Sequence, residues 1–530
     1  MEWKGEIAPG ANGKLPKSLI YSIGHWIPLM SVYFSSLSAG RTIAVIDFLW
    51  TLKLSKYRSK KLTLREVLEI SSRSLKHNAP QSLEDLPWHF VRKVFTLDVT
   101  ARSTKLVWGE WDYGDTKGKE NKQRGWDDRM SLSRWTAAEG SVNILDLLCA
   151  VLLCSDRMLQ QEIFSRMSLC QFALPLLLPP LEKPECTLML WAMRDIVKQW
   201  TPHSLAESRG FREETLVLTP MPTISFVRMG RPKLSKSKLL NGFLSSTEQN
   251  HDFFVHQDTE GGNIPRGIAD GLVEMAWYFP GGQKSLDLFP EPLAIANLRG
   301  DIKSHRKQFS FLTQVSSAVF IIVECIGEKE YALLSSLKKS SVHYYFILEE
   351  GSRQFEQTYS LAKKLLPLLE VSVQILVKSA STNMAEFVKK LQSRVHKTIS
   401  SHPEQIAVQG MAAVSYGLAI LVDEDSEECQ NARRRAKKVT ENIKDVANYR
   451  RETLKFQEYL LKNQAEAEKE MHRMESPKWG SRLLALHKQV NTYDLTSGLQ
   501  LLVEQDPSLL MFRRQLKMLL FREAFHSDAA

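Results

Sequence analysis

A run of residue types able to hold phosphate lies near the middle of the chain, where Gly230 is followed at the right distance by Lys236 and Ser237. In the pattern G-x-x-x-x-G-K-[ST], backbone N–H groups wrap a phosphate, the Lys reaches the β/γ-phosphates and the hydroxyl ligates Mg²⁺. Gly230, Lys236 and Ser237 hold those places, Lys238 adds a charge, and Ser235 stands where the second glycine belongs. If that position needs a positive φ, the serine costs on the order of 1 kcal/mol. The chemistry implied is recognition of a nucleotide through its phosphates. The competing reading is a solvated helix start that happens to be rich in Lys and Ser.

A GTPase needs a second element, Asp-x-x-Gly, whose acid holds the Mg²⁺ shell and whose glycine N–H meets the γ-phosphate. The corresponding stretch runs from Leu293 to Asp301. Gly300 fits, but Asn297 lacks the charge, so weak metal affinity or slow turnover follows. Asp301 is the neighbouring acid that would supply it. Thr259, beside Asp258 and the Gly261-Gly262 pair, is the candidate hydroxyl for Mg²⁺ in a switch segment, with an ordinary polar turn as the alternative. His251, Asp252 and His256 match no good metal spacing and read as loop residues. Where Asn-Lys-x-Asp should read guanine, the chain has Glu349, Glu350, Gly351 and Ser352, so guanine specificity does not follow from these residues. Ser379-Ala380 resembles the short turn that backs the base.

The elements that must position these residues are legible as hydrophobic periodicity. Ile224, Phe226 and Val227 read as a buried strand, and Leu239, Leu240 and Phe243 as the inner face of a helix. Further strands are expected at Leu272–Phe279, Leu293–Ala296, Ala318–Cys325, Val342–Leu348 and Val371–Val377, alternating with helices. That alternation predicts an α/β fold, a mainly parallel sheet with helices on both faces. Residues 1–62 read as a poorly defined lead segment and 63–210 as a helical region that starts at the Thr63–Glu66 capping box. Within it, 110–128 reads as an exposed insert, Gln171–Pro180 as a proline-broken connector, and Leu188–Trp200 as an amphipathic helix. Beyond Asn383 the chain reads as helical almost to its end. It passes an acidic patch at Asp423–Glu428 and a basic one at Arg433–Lys438, the latter read as a solvated helix face.

The chain has 530 residues, enough for two to three domains, and a quarter of them are charged. The 70 Lys and Arg against 60 Asp and Glu give +10, a balance that suits polyanions without specifying one. Six cysteines without a C-x-x-C pair fit a reducing compartment, cytoplasm or nucleus. The uncharged stretch between Lys17 and Arg41 is diluted by His25, Pro28 and several serines, so no membrane span is expected.

The Arg228–Lys238 loop, the Asn297–Asp301 turn, the string His251–Phe254, and the stretches Leu153–Glu162, Met167–Pro179 and Gly271–Tyr278 together resemble the very large interferon-inducible GTPase family. The resemblance covers roughly 62–451. It implies a P-loop GTPase domain of that family's type over 216–457, including its C-terminal helices, followed by a helical tail at 458–530. It further implies GTP and Mg as ligands, a guanine nucleotide as partner, and a homodimer formed through the G domain. Gly230, Ser235, Lys236, Ser237, Lys238, Asn297 and Gly300 become nucleotide contacts, and Ser237 with Thr259 the Mg contacts. Lys233 or Arg231 becomes a basic finger acting in cis, as related guanylate-binding GTPases use one. Slow or dimer-stimulated hydrolysis is the leading expectation. A catalytically silent nucleotide-binding or interaction scaffold is one rival, and a basic polyanion-binding protein another; no clear nucleic-acid motif is present.

Overall fold

The computed structural model describes residues 45–440, less 70–79, 106–141, 181–184, 209, 247–248, 336, 338–341, 353, 369–372 and 402–404, together with 445, 448, 462 and 469. The expected insert at 110–128 and most of the lead segment lie outside the described residues, as does the tail at 458–530 apart from 462 and 469.

Helices come first. Residues 45–51 are helical, and Leu49, Leu52, Leu54 and Tyr57 are buried, so residues before the expected boundary at 63 already belong to the packed core. Leu64–Leu68 (α1) starts at the expected capping box, in which the Thr63 N–H donates to Glu66 Oε2 at 3.0 Å and the Glu66 N–H donates to Thr63 Oγ1 at 3.3 Å. Leu86–Phe95 (α2), Ile144–Cys154 (α3) and Arg157–Met167 (α4) follow. The apolar face of α3 extends all round it, which is the pattern of a helix enclosed in a core.

Strands then enter earlier than the periodicity predicts. Leu174–Leu178 (β1) and Thr187–Leu188 (β2) pair antiparallel, so the proline-containing run is a buried strand and not a connector. Pro175 is tolerated where the β1 register shifts against its neighbour, a place where a missing N–H costs little. The amphipathic helix expected at Leu188–Trp200 is replaced by one turn, Leu190–Met193 (α5), and the strand Val197–Trp200 (β3). Two partners outside the segment decide this. Leu188 is drawn into the sheet opposite Leu177, and the buried Asp423 carboxylate accepts the N–H groups of Trp191 at 2.7 Å and Ala192 at 3.0 Å. Residues 63–210 are therefore not helical throughout. Arg212–Thr215 (β4) closes a separate two-stranded sheet with β3.

The remaining strands overlap their expected places, the third of them running on beyond Ala296: Thr223–Met229 (β5), Val273–Tyr278 (β6), Leu293–Asp301 (β7), Ala318–Val323 (β8), His343–Glu349 (β9) and Val373–Lys378 (β10). Between and after them lie the helices Lys236–Leu244 (α6), Arg306–Val315 (α7), Glu328–Ser335 (α8), Phe355–Leu365 (α9), Met384–Ser400 (α10), Met411–Gly417 (α11) and Glu427–Thr440 (α12), with the short strand Leu421–Val422 (β11) before α12. The nine-stranded sheet runs β10-β9-β8-β5-β7-β6-β1-β2-β11. The ladders from β10 through β7 are parallel, β6 and β1 join antiparallel, and β11 pairs parallel with β2. The expected α/β architecture with a mostly parallel sheet is present.

Both faces of the central strands are covered, which is why they read as near-continuous apolar runs. One face carries Phe226, Phe320 and Tyr345 stacked across β5, β8 and β9, with ring centroids 4.7 and 4.4 Å apart, beneath α6 and α10. The other carries Val227, Val319, Ile321 and Phe346 against α7 and α9. Each such aromatic contributes roughly 1.5–3 kcal/mol by leaving water. The rigid sheet thereby fixes where β5 and β7 end. Among the described residues, no helix is long and apolar enough to cross a membrane.

Candidate functional site

β5 stops at Gly230, whose φ of +80° only glycine adopts without strain, and whose missing Cβ leaves room for the Glu324 side chain. Two carboxylates then hold the loop open. The Gly230 N–H donates to Asp301 Oδ2 at 3.2 Å and the Arg231 N–H donates to Glu324 Oε2 at 2.7 Å. Asp301, which also accepts the Lys303 N–H at 3.0 Å, is thus a clip on the loop and does not supply charge beside Ser237. Ser235 is the N-cap of α6 with φ of −69°, an ordinary conformation for any residue. The cost expected for a serine in place of the second glycine is absent.

The first N–H groups of α6 have no partner within the helix, and the Ser235 hydroxyl does not cap them. They carry the positive end of the helix dipole, the usual setting for a bound anion. They border a cavity of about 150 Å³, whose lining includes Arg228, Lys233, Lys236, Arg266 and Arg299 but no carboxylate residue. Lys236 is buried and its Nζ donates to the carbonyl oxygens of Phe226, at 3.3 Å, and Leu298. Burial holds its pKa well below the usual lysine value, and the neighbouring Arg299, Arg228 and Arg266 push it the same way. Burial likewise lowers Arg266, to about 10, with Arg299 adding to the effect. Like charges crowded in this way favour an anion strongly.

The wall bearing Arg266 is held from far away in the chain. Asn143 Nδ2 donates to the Ile264 carbonyl at 2.7 Å, and Asp146, in the first turn of α3, accepts the N–H groups of Gly267 at 2.8 Å and Ala269 at 2.7 Å. Burial raises the Asp146 pKa to about 6.

The centre of the site is one that sequence reasoning missed. Arg299, 5% exposed on β7, donates from Nε to Glu274 Oε2 at 2.5 Å and from Nη1 to Ser237 Oγ at 2.7 Å. Asn297 donates from Nδ2 to the same Glu274 oxygen at 3.1 Å and reaches Ser237 Oγ at 3.5 Å. Arg299 Nη2, Glu274 Oε1 and Asn297 Oδ1 are buried without partners. Glu274 and Arg299 carried a signal, since ionisable residues of opposite sign inside otherwise apolar strands are rarely buried unless paired. A divalent ion at Ser237 needs the hydroxyl's lone pairs and an anionic oxygen beside it. The residues present do not fit one: a guanidinium sits on the hydroxyl, Asn297 is neutral, and Glu274 is paired with Arg299. Among the described residues, no group of three or more His, Cys, Asp or Glu side chains is placed to hold a metal ion.

The other expected residues are distributed unevenly. Gly300 lines the cavity with φ of +98°, and a Cβ there would meet the His305 ring and the Asp270 carboxylate. Lys233 lines the cavity, whereas the Arg231 side chain is outside its lining. Lys238 is exposed and pairs with Asp258 at 2.8 Å. Thr259 closes a turn in which its hydroxyl accepts the His256 N–H at 3.2 Å, the geometry of the polar turn. At the far end of the sheet, Glu350 Oε2 accepts the Ala380 N–H at 3.2 Å, tying the two segments that would flank a base. A larger cleft of about 750 Å³, lined by Trp200, Trp277, Tyr278 and Phe279, lacks this concentration of cations.

Residues 142–440 match the up-regulator of cell proliferation-like domain, and residues 46–124 match the N-terminal domain of the same family. The chain is 42% identical over 478 residues to "Up-regulator of cell proliferation" of Mus musculus, an alignment that takes in 86% of this chain and 51% of that protein. Caspase recruitment domain-containing protein 6 of Homo sapiens is 39% identical over 356 residues, 66% of this chain and 34% of its own. Interferon-induced very large GTPase 1 of Mus musculus is 25% identical over 494 residues, 89% of this chain and 20% of its own. The chain spans about half the length of the up-regulators it matches. The resemblance to very large interferon-inducible GTPases is therefore a distant relation, and the chain belongs to the up-regulator of cell proliferation-like family.

Proposed function

We propose that the chain binds GTP through Gly230–Ser237 in a P-loop GTPase fold, and hydrolyses it slowly. The observation that carries this reading is the uncapped start of α6, with Lys236 and Ser237 facing a cavity lined only by cations and neutral groups. The strand order β10-β9-β8-β5-β7-β6, parallel except for β6, is compatible with this reading. The guanine preference rests on the name of the distant relative, because no base-reading motif follows β9. Lys233 is the better placed of the two finger candidates. The same reading takes in pairing of two copies through this domain, and work in the cytoplasm or nucleus.

A second reading, a nucleotide-binding scaffold without turnover, is favoured by one observation: Ser237 is engaged by Arg299 and faces the neutral Asn297. Equilibrium titration with fluorescent GTP, GDP and ATP, beside Lys236→Ala, tests the binding. Saturable GTP binding lost in the variant is the expected result; no binding by the wild-type chain would overturn both readings. Release of inorganic phosphate then separates them.

A further inference from the structure

A phosphate site usually balances its ligand's charge with a metal, and this one has a fixed cation where the metal would sit. Arg299 is 5% exposed, yet it lies on the wall of the cavity beside the first turn of α6. Two of its nitrogens are committed, to Glu274 and to the Ser237 hydroxyl, and Nη2 is buried without a partner. A buried guanidinium nitrogen without a partner carries a desolvation cost that is relieved when an acceptor reaches it. The acceptor that fits is anionic, because Arg228, Lys233, Lys236 and Arg266 share the same lining.

Geometry excludes a loose surface attraction. Glu274 is 1% exposed, and the Asn297 amide donates to the same oxygen that Arg299 uses, so the guanidinium plane is fixed before any ligand arrives. A planar, always-charged fork held in this way is suited to phosphate oxygens. The carboxylates near the loop, Asp301 and Glu324, are spent on the N–H groups of Gly230 and Arg231.

Resting on the reading of this cavity as a nucleotide phosphate site, we propose that the Arg299 guanidinium, aligned by Glu274 and seated on Ser237, takes the place of a divalent cation, so that a nucleoside triphosphate binds in its metal-free form. Arg299 contacts the phosphates directly and Glu274 positions it. Binding then differs from that of an ordinary phosphate loop in one measurable way, its indifference to magnesium.

The test is titration of the full chain with ribose-labelled fluorescent GTP, once in excess EDTA and once in excess MgCl₂. Dissociation constants agreeing within about twofold are expected. Binding seen only with magnesium would overturn the inference and leave the nucleotide reading standing. Binding in neither condition would take down both. The paired substitution Arg299→Ala with Glu274→Ala strands no buried charge, and it should weaken binding in EDTA by about tenfold or more. Arg299→Lys keeps the charge but loses the fork, and a smaller loss in EDTA is expected from it. Unchanged binding in EDTA by the doubly substituted chain would also overturn the assignment.

Discussion

Among the described residues, Arg194 with Glu424 and Arg299 with Glu274 are buried arginine–glutamate pairs, and they are completed to different degrees. Around Arg194, Nε and Nη2 both meet Glu424, the latter at 2.7 Å, and Nη1 donates to Gln409 Oε1 at 3.0 Å. Glu424 also takes Arg433 at 2.8 Å, so the expected acidic and basic patches are partly a clamp that draws the C-terminal helices onto the region of α5. Around Arg299 three polar atoms are left over, one each on Arg299, Glu274 and Asn297. A finished network specifies structure, whereas an unfinished one beside a cavity is addressed to something else.

The strongest way to break this comparison is Glu424→Ala. It strands Arg194 away from the cavity and should cost about 3–5 kcal/mol. The melting temperature should fall sharply and added pyrophosphate should not restore it. Glu274→Gln keeps the shape but removes the charge, for about 2 kcal/mol. Here an anion can partly replace the lost partner, so pyrophosphate should raise the melting temperature more than it does in the wild-type chain. Equal shifts in the two proteins would mean that Arg299 is no more open than Arg194.

Gly300→Ala is expected to cost roughly 1–3 kcal/mol, from its positive φ and from contact with His305 and Asp270, and to weaken nucleotide binding with it. Denaturant unfolding and the fluorescent titration check both. The smallest effect concerns pH. Burial raises Asp146, Asp156 and Asp423 to about 6, with the Glu428 charge a lesser contribution at Asp156. Each folded pKa lies above its unfolded value, so between about pH 4 and 6 the folded state holds more protons and stability falls as pH rises. Asp156 Oδ1 caps α4 through the Leu159 N–H at 2.7 Å, and asparagine caps equally well. Asp156→Asn should therefore flatten the melting-temperature slope across that range while changing stability at pH 5 by less than about 1 kcal/mol.

The six strands around β5 were legible because burial on both faces leaves a continuous apolar signature. β1, β2 and β3 were not, because the contacts that set them, the Leu177–Leu188 and Val197–Thr215 pairings and the cap that Asp423 places on the turn between β2 and β3, are not carried by the period of any one of these segments. The site divides in the same way. Gly230, Lys236 and Ser237 are a local pattern, read from spacing. Arg299 and Glu274 meet only when β6 and β7 pair, and the motif template itself hid Arg299 by treating it as a filler position between Asn297 and Gly300. The strand expected to end at Ala296 continues to Asp301, which turns that filler inward.

The grip of Asn143 and Asp146 on residues 264–269 bears on how this chain can be divided. A fragment beginning at 216 would keep every residue of the phosphate loop and every strand from β5 onward. It would lose the two side chains that pin the backbone on either side of Arg266, and with them one wall of the pocket. Portability ends before the sheet does: the smallest excisable unit that preserves the binding geometry has to reach back to α3.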